Sequence, residues 1–120
     1  MNAARPLSGR RILVVEDEYF IAQQIAGSLT DAGVEVVGPV ATLENALLAI
    51  DRHAQLDAAV LDINLRGEKV FPVADALAAR GIPFVFATSY DQAVIPERFA
   101  GVMRCDKPPS LTDLQGALGL

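Results

Sequence analysis

One cysteine, one histidine and no tryptophan stand among 120 residues, and each scarcity closes a route. Cys105 has no second cysteine for a disulfide, and with His53 as the lone imidazole a His/Cys zinc cluster cannot be assembled. Cys105 therefore reads as a small apolar core side chain. Positive charge is also thin: ten Lys and Arg are scattered among fifteen Asp and Glu, for a net charge of -5. A nucleic-acid backbone is held through clustered cations, so this balance speaks against nucleic acid as a partner. No apolar run approaches the roughly eighteen residues of a membrane span, and the basic leader MNAARPLSGRR lacks the hydrophobic stretch of a secretory signal. Residues 1–10 read as a flexible cytoplasmic leader and residues 11–120 as one domain, neither exported nor held in a membrane.

What is present is an alternation. Five short runs rich in Val, Ile and Phe, namely RILVV, VEVVGPV, AAVLD, PFVFAT and GVMRC, are separated by stretches of helical periodicity. Most of these runs are apolar without strict alternation, the pattern of parallel strands covered on both faces. Between the first two, Ile21, Ala22, Ile25, Ala26 and Leu29 form one stripe, with Gln23, Gln24 and Ser28 opposite and Gly33 as the stop. Thr42 caps a second helix whose Leu43, Ala46, Leu47 and Ile50 face inward. Pro72 opens a third, with Val73, Ala74 and Leu77 inward and Gly81 at its end. Ser110 and Asp113 make a capping box for a last helix carried by Leu111, Leu114 and Leu118. Pro96 leaves any helix between the fourth and fifth runs short or late-starting. Such units predict an α/β doubly wound parallel sheet, whose ligands lie beyond the carboxyl ends of the strands where the strand order reverses.

The chemistry of the chain is concentrated at those ends. RILVV runs into Glu16, Asp17 and Glu18, AAVLD ends on Asp62, PFVFAT ends on Thr88, and GVMRC passes through Asp106 into Lys107 and two prolines. The second run offers only Gly38 and Pro39. With the first, third and fourth strands central, Glu16, Asp17 and Asp62 converge into an acidic pocket. Two carboxylates about 4 Å apart repel by about 4 kcal/mol at an effective dielectric of about 20. A hard divalent cation relieves that repulsion, and Mg2+ suits a nest of carboxylates without imidazoles. A carboxylate beside Mg2+ is also a nucleophile fit to accept a phosphoryl group, because that transfer needs mainly positioning and charge neutralisation. Lys107 then balances the acids at rest and grips a phosphate oxygen after transfer, with Thr88 donating to another. The prolines fix the backbone that aims the lysine, and Pro108 permits a cis bond. Glu18, Asp106, Glu68 and Lys69 read as solvated charges.

The set Glu16-Asp17, Asp62, Thr88 and Lys107-Pro108 resembles the receiver domain of two-component response regulators, over nearly the whole chain from Arg11 to about Leu118. The resemblance implies a flavodoxin-like five-stranded sheet of order 2-1-3-4-5 with helices on both faces. It implies Asp62 as the phosphoacceptor, Glu16 and Asp17 as organisers of Mg2+, and a metal contact from the backbone carbonyl of Asn64. It also implies that Thr88 senses the phosphate and Lys107 pairs with it. The stretch FATSYD resembles the signature of the FAT GUY subgroup, with Ser89 in place of the glycine, Tyr90 at the apolar position and Asp91 where the last tyrosine belongs. DINLRGEKVFPVADAL is similar to that subgroup as well. Three positions before the lysine, where many receivers carry an aromatic switch residue, stands Arg104. Tyr90 and Arg104 thus join Thr88 as switch candidates.

The expected function is that of a stand-alone receiver and not of an enzyme. It takes a phosphoryl group from a sensor histidine kinase or histidine phosphotransfer protein and either signals to a downstream protein or drains a branched pathway, through contacts on its fourth and fifth units. The enzymatic alternative is an aspartate-nucleophile phosphatase, which needs a second acid two residues past the nucleophile, where Asn64 stands. A serine hydrolase would need His53 beside Ser89, yet His53 precedes the third strand and belongs at the opposite pole. The other alternative is a binding module, either a receiver relative that carries no phosphate or a mononucleotide binder. For the latter, a G-x-x-x-x-G-K-[ST] loop is lacking.

Overall fold

Each central strand sends alternate side chains to opposite sides, and this alternation builds two half-cores in the computed structural model, which describes residues 7–88 and 95–119. The elements run β1 (Arg11–Val15), α1 (Tyr19–Asp31), β2 (Glu35–Val40), α2 (Leu43–Arg52), β3 (Ala58–Asp62), β4 (Asn64–Leu65), β5 (Glu68–Lys69), α3 (Phe71–Ala79), β6 (Phe84–Thr88), β7 (Arg104–Asp106) and α4 (Leu111–Leu118), with a 3-10 turn at Glu97–Phe99. Five strands form one parallel sheet in the order β2-β1-β3-β6-β7. With the small β4-β5 hairpin set aside, this is the expected order 2-1-3-4-5. Ile12, Val14, Ala58, Val60, Val85 and Ala87 meet α1 and α4 on one face. Leu13, Val15, Ala59, Leu61 and Phe86 meet α2 and α3 on the other. Burial on both faces is why these strands read as continuous apolar runs.

The helices begin where capping chemistry is available. Thr42 Oγ1 accepts the Asn45 N–H at 3.1 Å, and Ser110 and Asp113 satisfy each other's backbone donors in a reciprocal box. Phe99 brings the 3-10 turn into an aromatic group with Phe71, Phe84 and Phe86, ring centroids 5.9 Å away in each case. Arg98 beside it makes a two-pronged pair with Asp75 of α3, both contacts 2.9 Å. Among the described residues no helix is long and apolar enough to cross a membrane.

Several expectations are corrected. The loose leader through residue 10 does not extend to its last residues: Leu7 is fully buried and the Gly9 N–H donates to Gly33 O at 2.8 Å. Strand β2, an outermost strand of the sheet, lies between α1 and α2, with Val36 packed on one half-core and Val37 and Val40 on the other, but its cover is thinner than that of the central strands and Glu35 and Gly38 are exposed. Leu47 is exposed instead of facing inward, since α2 packs on α3 and on that outermost strand, which leaves one flank of its apolar stripe uncovered. Glu68 and Lys69 are exposed as expected but pair with Leu65 and Asn64 as a hairpin. The fifth run becomes a strand only from Arg104. The Gly38–Pro39 and Lys107–Pro108 peptide bonds are cis.

Candidate functional site

Register and alternation bring the charged residues together. In the parallel pair of β1 and β3, Val14 stands opposite Val60 and Val15 opposite Leu61, so the next step sets Glu16 opposite Asp62. Both continue the alternation that sends Ile12, Val14, Ala58 and Val60 toward α1 and α4. Cys105 of β7 packs against the same layer, and Lys107, two residues on, keeps to that side. On the other flank of β1 the pairing slips by one residue, from Leu13 opposite Val37 to Val15 opposite Val40. Gly38 makes the slip possible: its φ is +97°, and a Cβ there would stand 2.8 Å from Val40 N and 2.9 Å from Val14 O. The bulge lets Val40 O accept the Glu16 N–H at 2.9 Å. Gly38 and Pro39, which carry no chemistry of their own, thereby seat the first acid.

Lys107 Nζ lies 3.2 and 3.3 Å from the two Glu16 carboxylate oxygens and 3.3 Å from Asp62 Oδ2. All three side chains are enclosed, with 8% of Lys107, 1% of Glu16 and 7% of Asp62 exposed. Burial, and next the charge of Glu16, push the Asp62 carboxyl up to about 7 against the pull of Lys107. For Lys107, burial works toward a lower pKa, but Asp62 and Glu16 together outweigh it and raise the ammonium's pKa. Asp17 is partly exposed, and its Oδ2 accepts the Arg66 N–H at 2.9 Å. Glu16, Asp17 and Asp62 each offer a carboxylate oxygen, all within 4.8 Å of one another. A donor set of clustered carboxylate oxygens, with neither nitrogen nor sulfur, fits a hard divalent cation such as Mg2+.

The other candidates fall around this centre. Thr88 is the half-buried last residue of β6, where Ala87 stands opposite Asp62 and Thr88 opposite Asp106. Asn64 is exposed, and its N–H donates to Asp62 Oδ1 at 3.3 Å. Arg104 is exposed on β7, opposite Phe86. Tyr90, Ser89 and Asp91 lie outside the described residues. Glu18 and Asp106 are exposed. Cys105 is half-buried and its thiol pKa is raised by burial, then by Asp113 and Asp106, the opposite of what a reactive thiolate requires. His53 caps the end of α2 ahead of β3, away from the acidic edge. Two features went unread in the sequence. Arg66 and Gly67 form the hairpin tip that reaches Asp17, with Gly67 as the only written hint. Tyr19 and Phe20, at the start of α1 beside the acids, are 68% and 80% exposed and pack edge to face at 5.5 Å; two adjacent aromatics off the helix stripe are their signal.

A sheet whose order reverses at β1 and β3, with its acids gathered at that carboxyl edge, defines a doubly wound α/β domain of the flavodoxin-like class. No protein-family model matches the chain. SdrG from Sphingomonas melonis Fr1 is similar at 42% identity and a TM-score of 0.80, with 92% of this chain and 93% of that one covered. A BeF3-activated conformation of SdrG, from Pseudomonas melonis Fr1, aligns at 41% identity and a TM-score of 0.74 over 91% and 92% of the two chains. Of curated proteins from Mycobacterium tuberculosis, transcriptional regulatory protein PdtaR is 31% identical over 115 residues, 92% of this chain and 56% of that protein. Transcriptional regulatory protein TcrA is 36% identical over 103 residues, 84% of this chain and 39% of that protein. The chain thus spans little more than half of one curated relative and less than half of the other. It belongs to the response-regulator receiver family.

Proposed function

We propose that the domain accepts a phosphoryl group on Asp62 from the phosphohistidine of a sensor histidine kinase or a histidine phosphotransfer protein. The observation that carries this reading is the enclosed lysine shared by Glu16 and Asp62 at the end of the central strands. An Asp62 oxygen forms the P–O bond as the N–P bond of the donor breaks. The electron pair returns to the imidazole nitrogen, which takes a proton from water. Glu16, Asp17 and Asp62, with the backbone carbonyl of Asn64, would hold Mg2+, which when bound neutralises charge on the transferring oxygens. Lys107 turns part of its hold on Asp62 into a bond with a phosphoryl oxygen, and the Thr88 hydroxyl donates to another. The donor must approach over the carboxyl edge, where Tyr19 and Phe20 offer an exposed aromatic rim.

The output is a shift between conformations that protein partners read, at a site of action in the cytoplasm. Thr88, Tyr90 and Arg104 are its switch candidates, and the ending of β6 in Phe86, Ala87 and Thr88 supports the FAT GUY likeness. The likeness to SdrG supports a receiver domain, which acts as signal or as phosphate drain through the surface that its partners touch. Intact mass after incubation with acetyl phosphate and Mg2+ tests the chemistry. The parent chain gains one phosphoryl group and Asp62→Asn gains none; an equal gain in the variant, or none in the parent, overturns the assignment.

A further inference from the structure

Asp17 is held differently from its acidic neighbours. Glu16 and Asp62 are buried against Lys107, whereas Asp17 is partly exposed and takes its hydrogen bond from the backbone of Arg66, 49 positions along the chain. The place of a backbone donor depends on chain conformation and not on a rotamer. That conformation is specified in detail. Asn64 pairs with Lys69 and Leu65 with Glu68 across a two-residue loop of Arg66 and Gly67. Both loop residues have positive φ, 54° and 89°, the signs of the type I′ turn whose twist suits a short hairpin. The base of the hairpin is anchored, because Leu65 and Val70 are buried and the Val70 N–H donates to Ile63 O at 2.8 Å.

We propose that the Arg66–Gly67 tip is a positioning element for Asp17 that sets the affinity of the acidic cluster for a divalent cation; the inference rests on the metal reading given above. A carboxylate has about four lone-pair sites, so one N–H orients Asp17 and leaves it capacity for a cation. Partners of this kind, which hold a ligand without touching the metal, typically change affinity by about 10–100-fold when lost. A single backbone donor to a partly exposed ligand belongs near the lower limit, about tenfold.

The test is calorimetric titration of the whole chain with Mg2+, alongside amide spectra that follow residue 66. Gly67→Ala is the probing variant: its added Cβ meets nothing within 4 Å, so it alters only the backbone preference at a φ that L side chains resist. It binds Mg2+ about tenfold more weakly while the core amides keep their positions. Gly67→Asn, which tolerates positive φ, recovers most of the affinity. Arg66→Gly keeps the N–H and removes the side-chain cation, and binds at least as tightly as the parent. Equal affinity in the parent and Gly67→Ala, no recovery in Gly67→Asn, or weakened binding in Arg66→Gly overturns the role of the tip and leaves the metal reading standing. Absence of Mg2+ binding by the parent overturns the metal reading and this inference with it.

Discussion

Strand β1 carries an ion pair at each end. At its start Arg11 meets Glu35 at 3.1 Å, with the two side chains 33% and 63% exposed. Just past its finish Glu16 meets Lys107 at 3.2 Å, with 1% and 8% exposed. The distances match and the surroundings are opposite. Water screens the first pair, which is worth at most about 1 kcal/mol. The second shares its cation with Asp62, and the enclosure of one ammonium with two acids costs solvation for all three. Elsewhere at the amino edge, charged groups close the backbone. Asp57 accepts the Arg11 N–H at 2.8 Å, and Arg80 donates to the carbonyls of Ile50, His53 and Ala54 at the end of α2, where a cation also complements the helix dipole. Acids and bases of the same kinds thus brace one edge and leave surplus negative charge at the other, and that surplus is what a ligand can relieve.

The largest effect should come from removing the cation at the crowded end. Lys107→Ala leaves Glu16 and Asp62 buried together and should lower stability by about 3–5 kcal/mol, read from urea midpoints near neutral pH. A shift no larger than that of an exposed pair would erase the contrast between the two ends. Asp62→Asn should move the other way in chelator. The Asp62 carboxyl is pushed up to about 7 from 3.8, so its share of stability is complete below the lower value and is lost as pH rises through the upper one. The variant should therefore gain about 2–4 kcal/mol over the parent near pH 8, a margin that shrinks as pH is lowered toward 4. A gain independent of pH would point to packing instead of charge.

At the bracing end the effects are smaller. Arg80→Ala removes the donor to three carbonyls and should cost about 2 kcal/mol, without altering phosphoryl uptake from acetyl phosphate. Glu35→Gln, which breaks only the exposed pair, should shift the midpoint by less than about 0.5 kcal/mol and by nothing measurable in high salt.

Much of this arrangement was legible in the sequence because it is written in local patterns. Two-faced burial made the strands read as apolar runs, Thr42 and Ser110 marked helix starts, and the strand ends carried Glu16, Asp17, Asp62, Thr88 and Lys107. What escaped depends on distant neighbours. A two-residue strand has no period, and positive φ at Arg66 follows from the hairpin it closes and not from any preference of arginine. Leu7 follows a proline and precedes a polar stretch, and its place in the half-core under α1 and α4, next to a Gly9 N–H held by Gly33 O, is made by residues distant in sequence. Periodicity marked the stripe of α2, but the width of the layer beneath it decided that Leu47 stays in water. The reach of Arg80 to another helix leaves no local trace at all.

The bulge at Gly38 and Pro39 has an effect beyond seating Glu16. A sheet margin with an unbroken ladder of free amides is a template on which foreign chains assemble. Here the outermost strand lacks one amide proton, at Pro39, and steps out of register beside it, so an incoming segment meets no regular row of donors and acceptors. The distortion that aims an acid inward also discourages clumping along that border in a concentrated cell.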